Sequence, residues 1–383
     1  MAGLAACADL LGFERLEASA PAPEAGAPEG GGADAGVDAD DPRCAEIGLP
    51  PLPDAGSGGG SEYWFATSLV DFGLSDDAGV TGGLTEQTGL NVDRRCTTSA
   101  ATSSCVFPPN AVPESYQLDK GAVGVDNASY RLLQSLSGIG TDRPFAPSNI
   151  NSRLRQGKFN LVFRLSAYND TPNDRDVTVN YFPAVGIADR DGGPPAFNRT
   201  DEWLLDDTRG PGKFDGLSIY QDINAYVTNG TLVARFPRLP VSLDVSDDQG
   251  RLTIWLSDVV IVGTIRKGDG GVPVIERAIA AGRWGAEDFL REVGTLTTGG
   301  FRVCDSPPIF DSLIKTTFCP ALDLRTSSSE DNTGKPCDAI SAVLVFQAYN
   351  VDEQSRYVTV DAGPNPCLKA DLTCPTAVDA GAD

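Results

Sequence analysis

Histidine is absent from the 383 residues, and methionine occurs once. The first absence removes Ser-His-Asp and Cys-His catalysis, HExxH zinc chemistry and a histidine pH switch. An enzyme built on this chain would have to work with carboxylates, lysine, tyrosine or a hard metal. Basic charge is also scarce: 30 Lys and Arg stand against 53 Asp and Glu, a net charge of −23. Nucleic-acid phosphate needs a basic footprint, so a nucleic-acid partner is not expected. The same imbalance disfavours docking on anionic lipid by charge. No apolar run approaches the roughly 18 residues that span a bilayer. A P-loop, a GxGxxG fingerprint in strand–loop–helix context and a G-x-S-x-G nucleophile elbow are all missing.

Cysteine is present, but never as CxxC, which disfavours zinc ribbons and thioredoxin-like redox motifs. The count is odd. Cys7 closes the stretch Leu4-Ala5-Ala6-Cys7, which has the form of a lipid-attachment site. Setting it aside leaves Cys44, Cys96, Cys105, Cys304, Cys319, Cys337, Cys367 and Cys374, an even set able to form disulfides in an oxidising compartment. The competing reading is scattered buried thiols in a cytosolic protein. Loop length nominates Cys96–Cys105 and Cys367–Cys374 as local staples.

The 42 glycines and 27 prolines exceed an ordinary share. They gather in "ASAPAPEAGAPEGGGADAGVDADDPR", which cannot bury enough apolar surface to offset its ordering entropy. Residues 8–60 therefore read as a disordered acidic tether, and 376–383, "TAVDAGAD", as a short acidic tail. Residues 1–7 read as a truncated signal remnant, since a full signal peptide needs a basic start and an apolar stretch of roughly 7–15 residues. The folded body is expected over 61–375, as one unit or as two sub-domains meeting near 270–300.

Within the body, "KFNLVFRLSAY" (158–168) alternates Phe159, Leu161, Phe163 and Leu165 against polar positions, the pattern of a strand with one buried face. "AYVTNGTLVARFP" carries an Asn229-Gly230 hairpin turn. "EYWFATSLVDFG", "DVTVNYFP", "DQGRLTIWLSD", "VVIVGTI" and "CDAISAVLVFQAYNV" also read as strands, with Trp255 assigned to the core. "NASYRLLQSLSGIG", "GAEDFLREVGTL" and "PIFDSLIKTTFC" read as short helices. The fold class is mainly β: an antiparallel sandwich or barrel with two or three short helices.

The leader running into "CADLLGFERL", the acidic tether, "DKGAVGVDNASYRLL", "LVFRLSAYNDTPNDRDVTVNYFP" and "PCDAISAVLVFQA" together resemble uncharacterised secreted lipoproteins of myxobacteria. The likeness covers most of the chain but includes no catalytic signature. It implies an extracytoplasmic address and a β-rich fold, and no activity.

Two stretches look site-like. In "YQLDKGAVGVDNASY", Asp119, Asp126 and Asn127 are hard oxygen ligands beside turn-forming glycines, as calcium requires. The EF-hand pattern is not met, and the alternative is an Asx-turn and helix cap at Asp126 or Asn127. Further on, Asp189, Asp191, Asp201 and Asp206 surround Trp203, an arrangement that could take a sugar ring. Solvated acidic loops would look the same. The expectation is an extracytoplasmic lipoprotein of the bacterial outer membrane or cell surface. It would reach the membrane only through the lipid on Cys7 and have a recognition or structural role toward an envelope polysaccharide or a protein. The alternatives are a carboxylate-based glycoside hydrolase and a calcium-dependent adhesion module. No cofactor other than calcium is expected.

Overall fold

Period-two alternation through the middle of the chain builds a closed ring of strands. The computed structural model describes residues 42–54, 58–72, 84–119, 124–137, 147–188, 193–207, 219–246, 250–298, 300–351, 356–360, 367 and 370–375. Ten of its strands share one sheet. They are β1 Ser61–Asp71, β2 Asn160–Tyr168, β3 Asp174–Ile187, β4 Trp203–Asp206, β5 Gln221–Thr228, β6 Thr231–Ser246, β7 Gly250–Lys267, β8 Pro273–Gly285, β9 Ala339–Val351 and β10 Arg356–Val358. The order is β10-β4-β3-β2-β1-β9-β8-β7-β6-β5, and β3 also pairs with β5, so the strands from β3 round to β5 close into an antiparallel barrel. β3 serves two partners along one edge. Its first half, from Asp174 to Asn180, faces β5, and its end, from Ala184 to Ile187, faces β4. The mainly β expectation holds, and of its two architectures the barrel is the one formed.

The barrel interior is filled. Leu161, Phe163 and Leu165 of β2 join Val177, Val179 and Tyr181 of β3, Leu252, Ile254 and Leu256 of β7, and Ile340, Leu344 and Phe346 of β9 in one core. Phe163 and Phe346 stack at 5.1 Å. The Tyr181 hydroxyl donates to the Pro240 carbonyl at 2.6 Å, tying β3 to β6. Outward-facing positions are apolar too, and separate patches cover them: Trp203 and Leu205 of β4 lie with Trp64, Val162 and Phe182. This two-sided burial explains the continuous apolar run of β9.

Helices lie across the ends. α1 (Ala128–Ser137) and α3 (Ala286–Thr295) fall where the sequence places them, as does the helical run 307–321. Trp284, Phe289 and Phe318 form an edge-to-face and then stacked series that joins the barrel to α3 and the helical run. α2 (Pro147–Arg155) packs on β1 and β6, which stand on opposite sides of the ring.

Four readings are corrected. Trp255 is half-buried on the outside, with the Arg238 guanidinium 4.6 Å above its ring, because Leu252, Ile254 and Leu256 take the inward positions. "DQGRLTIWLSD" and "VVIVGTI" form one strand, β7, with a register break around Asp258. The tether ends before residue 60: Cys44 is bonded to Cys96, and the Tyr226 hydroxyl donates to the Pro50 carbonyl at 2.6 Å. The chain does not divide near 270–300, since β7, β8 and β9 are neighbours in one barrel. Residues 1–41, with Cys7, and 376–383 lie outside the described residues.

The disulfides are Cys44–Cys96, Cys105–Cys337, Cys304–Cys367 and Cys319–Cys374, so neither nominated local staple forms. Short spacing does not decide the pairing. Val106 bridges Pro336 in parallel, and that pairing brings Cys105 to Cys337 across 232 residues. Closing so long a loop contributes about 5 kcal/mol on the chain-entropy account. Four disulfides indicate an oxidising, extracytoplasmic environment. Among the described residues no helix is long and apolar enough to cross a membrane.

β1 is irregular between Thr67 and Leu69, and two buried asparagines repair it. Asn160 accepts from the Thr67 amide at 2.7 Å and donates to its carbonyl at 2.9 Å. Asn151 of α2 does the same for Val70, at 2.9 and 2.7 Å. Asn160→Leu should strand both Thr67 groups and cost about 3 kcal/mol in urea unfolding. A loss of only a few tenths would show that β1 does not depend on this repair.

Candidate functional site

Two loop regions, 84–119 and 322–338, pack over the outer face of β8 and β9, where Leu84, Val92 and Leu324 meet Ala281, Val343 and Val345. A buried polar layer lies beneath them. Arg283 of β8 is fully buried and grips Asp331 with two hydrogen bonds of 2.8 and 2.6 Å. It also donates to the Val92 and Arg325 carbonyls at 3.1 and 2.9 Å. Ser341 of β9, opposite Arg283 in the register, gives its amide and hydroxyl to Asp323 at 2.7 and 2.6 Å. Asp126 accepts from the Val92 and Asp93 amides, Asp119 accepts from Thr97, and Asp119 is hydrogen-bonded to Asp126.

Carboxylates outnumber cations in this layer, so protons take the place of counter-ions. Burial, reinforced by repulsion from Asp93, pushes Asp119 up to about 8. Burial pushes Asp323 up to about 7 despite its bonds to Ser341. Burial also raises Asp126 and Asp93.

The residues proposed for calcium come together around one small cavity. Asp119 and Asp126 meet in the polar layer, while the Asn127 side chain is already engaged, donating to the Thr85 and Thr88 carbonyls at 3.3 and 2.8 Å and accepting from Ser129 at 3.1 Å. Directly before α1, it takes the capping position. The cavity beside Asp119, Asp126 and Asp323 is about 10 Å³, room for at most one water. Among the described residues no group of three or more acidic or cysteine side chains is arranged to hold a metal.

The residues proposed for sugar do not form an open site. Trp203 is fully buried in the patch behind β4 and offers no ring to stack on. Asp201 is also buried and accepts from the Ala196 amide at 2.8 Å and the Tyr349 hydroxyl at 2.9 Å, a loop-closing role. Asp206 is buried at the end of β4. Asp189 and Asp191 lie outside the described residues.

The open recess lies elsewhere, and sequence reasoning missed it. A groove of about 680 Å³ runs between Val106–Pro109, the first turn of α3, the strip from Leu322 to Thr326, Pro336–Asp338 and Leu372–Pro375. A second recess of about 320 Å³ shares Pro108, Pro109 and Pro375 and reaches Lys315. The charges on the groove wall are already paired: Asp288 with Arg238 and Arg291 at 2.8 Å each, and Asp338 with Arg325 at 2.8 Å. The available signal was proline beside cysteine. Pro108, Pro320, Pro336 and Pro375 each lie within three residues of a cysteine in Cys105–Cys337 or Cys319–Cys374.

The buried acids hold their protons more tightly in the fold than in the unfolded chain, where aspartate titrates near roughly 3.9. Their stabilising contribution is complete below that pH and is lost as pH rises through about 7 and about 8. Melting temperature should therefore fall from about pH 5 to about pH 9 at fixed ionic strength. Asp126→Asn keeps an acceptor and cannot ionise, so it should flatten the fall; a profile that rises with pH would contradict the buried-acid account.

Comparison with family models, with curated proteins and with solved structures finds no match to this chain.

Proposed function

We propose that this protein is an extracytoplasmic recognition module, held at the cell envelope by a lipid on Cys7, that takes an extended segment of a protein partner in the groove. The observation that carries the reading is the groove itself, about 680 Å³ and framed by two disulfides before any partner arrives. Pre-set walls spare a ligand the entropy of ordering them. The barrel interior is packed, which leaves the outer surface for binding. The groove surface mixes charged side chains with an apolar part made of aliphatic residues and prolines, with Phe107 as its aromatic residue. Its arginines and carboxylates neutralise one another, so a strongly charged ligand gains little there. A neutral peptide segment with apolar side chains suits it better than a sugar, which needs open aromatic faces and unpaired acceptors.

Hydrolysis is the weaker reading. A glycosidase needs a carboxylic acid of raised pKa and a second carboxylate flanking a sugar in a cleft. Here the acids of raised pKa border a cavity of about 10 Å³, while the groove carboxylates are bound to arginines.

The test is binding of the full oxidised chain to a library of neutral and charged peptides and to a polysaccharide panel, with calcium and with chelator. Neutral apolar peptides should bind saturably, and Val106→Arg, at an exposed groove position, should weaken them by about tenfold or more with Tm unchanged, a loss of roughly 1.4 kcal/mol. Saturable binding to polysaccharide alone, or peptide binding indifferent to Val106→Arg, would overturn the reading.

A further inference from the structure

Building on the groove reading above, we propose that the C-terminal strap, residues 370–375, is a redox latch on the groove, opened by reduction of Cys319–Cys374 while the rest of the molecule stays folded. Leu372, Thr373, Cys374 and Pro375 form one wall of the groove, and Cys319 and Pro375 continue into the adjoining recess. That wall contains no helix or strand. Its side-chain bonds are mostly internal: Asp371 accepts from the Thr373 amide and hydroxyl at 3.0 and 2.7 Å. Its ion pair to the body is Lys315–Asp371 at 3.1 Å, where the Asp371 side chain is 67% exposed, a pairing that contributes little once screened by solvent. Ala370, Leu372 and Cys374 also rest, partly buried, against the core. The disulfide is the covalent tie that holds that contact in place.

The four disulfides differ in access. Cys44–Cys96 and Cys105–Cys337 have both residues buried. Cys304–Cys367, like Cys319–Cys374, joins a half-buried to a buried cysteine, but it lies against α3, where a Cβ added to Gly294 would come within 3.3 Å of the Cys367 sulfur and 3.2 Å of the Cys304 Cβ. Cys337 and Cys374 both line the open groove, and of the two only Cys374 is half-buried. Thiol–disulfide exchange needs an in-line path to a sulfur, so a reductant reaches this pair first.

The step is a two-electron exchange with a dithiol. One of its thiolates attacks the Cys374 sulfur, the bond to Cys319 breaks, and the Cys319 thiolate leaves and takes a proton. The second thiol of the reductant then displaces Cys374 as the reductant closes into its own disulfide. The protein gains two thiols, the dithiol is oxidised, and Cys304–Cys367 keeps the start of the strap attached.

The full oxidised chain is titrated with dithiothreitol under native conditions, quenched with an alkylating reagent and mapped by mass spectrometry. Cys319 and Cys374 should label at the lowest dithiol concentration. At that point hydrogen exchange should quicken by about tenfold in 370–375 and rise in the facing strips 322–326 and 336–338, with β2 and β7 unchanged. The Cys319→Ser/Cys374→Ser double variant should show the same exchange pattern without reductant. Any other pair opening first, or opening of Cys319–Cys374 without faster exchange in 370–375, would overturn the latch. Neither readout contains a peptide ligand, so a failed latch leaves the groove reading standing, and a groove that binds nothing leaves the latch standing.

Discussion

Closure of the sheet between β3 and β5 is the constraint on which the other features depend. An open sheet of this length would leave two edges and an exposed apolar face. β3 avoids the first problem by pairing β5 with its beginning and β4 with its end, while β2 runs along its other edge. Closure also fixes what lies inside. Eight strands leave an interior that side chains can fill, and Phe163, Tyr181, Phe346 and their neighbours fill it. The cavity that some barrels keep for a ligand is occupied here by the protein's own rings, so the open recesses lie outside the barrel, among the covering loops.

Those loops need a different kind of support. Regions 84–119 and 322–338 hold little regular structure, and they lie on an outer wall that is apolar at Ala281, Val343 and Val345 but polar at Arg283 and Ser341. Arg283 gathers carbonyls and a carboxylate from both regions, and Ser341 holds Asp323. Neighbouring acids keep protons because Arg283, the buried cation of this layer among the described residues, is already engaged by Asp331. The layer is densely but not completely bonded, since the Arg283 Nε lacks a hydrogen-bond partner among the described residues, and a buried layer of this kind fixes loop geometry more effectively than it adds net stability.

Legibility in the sequence followed the range of the interaction. Strand alternation in β2, the Asn229-Gly230 turn and the amphipathic pattern of α3 depend on neighbours a few residues away, and they could be read directly. α2, "PSNINSRLR", was missed because it has few apolar residues; Ile150 and Leu154 enter the core while Asn151 repairs a strand far away in sequence. β8, "PVIERAIAAGRWG", was missed because alanine and glycine give weak periodicity, although small residues suit its position between two closely packed neighbours: a Cβ on Gly282 would come within 3.0 Å of the Ser257 carbonyl. Asp119 and Asp126 stand out in the sequence as acids beside turn-forming glycines, but that pattern carries no hint of their bond to each other or of Asp93 and Asp323 nearby. The groove depends on six separated segments, Arg238 of β6 among them, and no window of sequence contains it.

The molecule therefore divides its stability between two regimes. Hydrophobic burial within a closed ring holds the barrel, and Cys105–Cys337, whose loop encloses the strands from β2 to β8, reinforces it. Disulfides and shared protons hold the groove walls, and both are set by the surroundings. Cys105–Cys337 joins the two loop segments over β9, Cys319–Cys374 holds the opposite wall, and the acids beneath lose protons as the medium turns alkaline. An oxidising, non-alkaline exterior is then the condition under which scaffold and groove are both fully formed. Under the proposed latch, reduction of Cys319–Cys374 would untie the wall at 370–375 while the barrel keeps its packed interior. The proposed binding would then depend on an oxidising medium through a bond that lies outside the ring of strands.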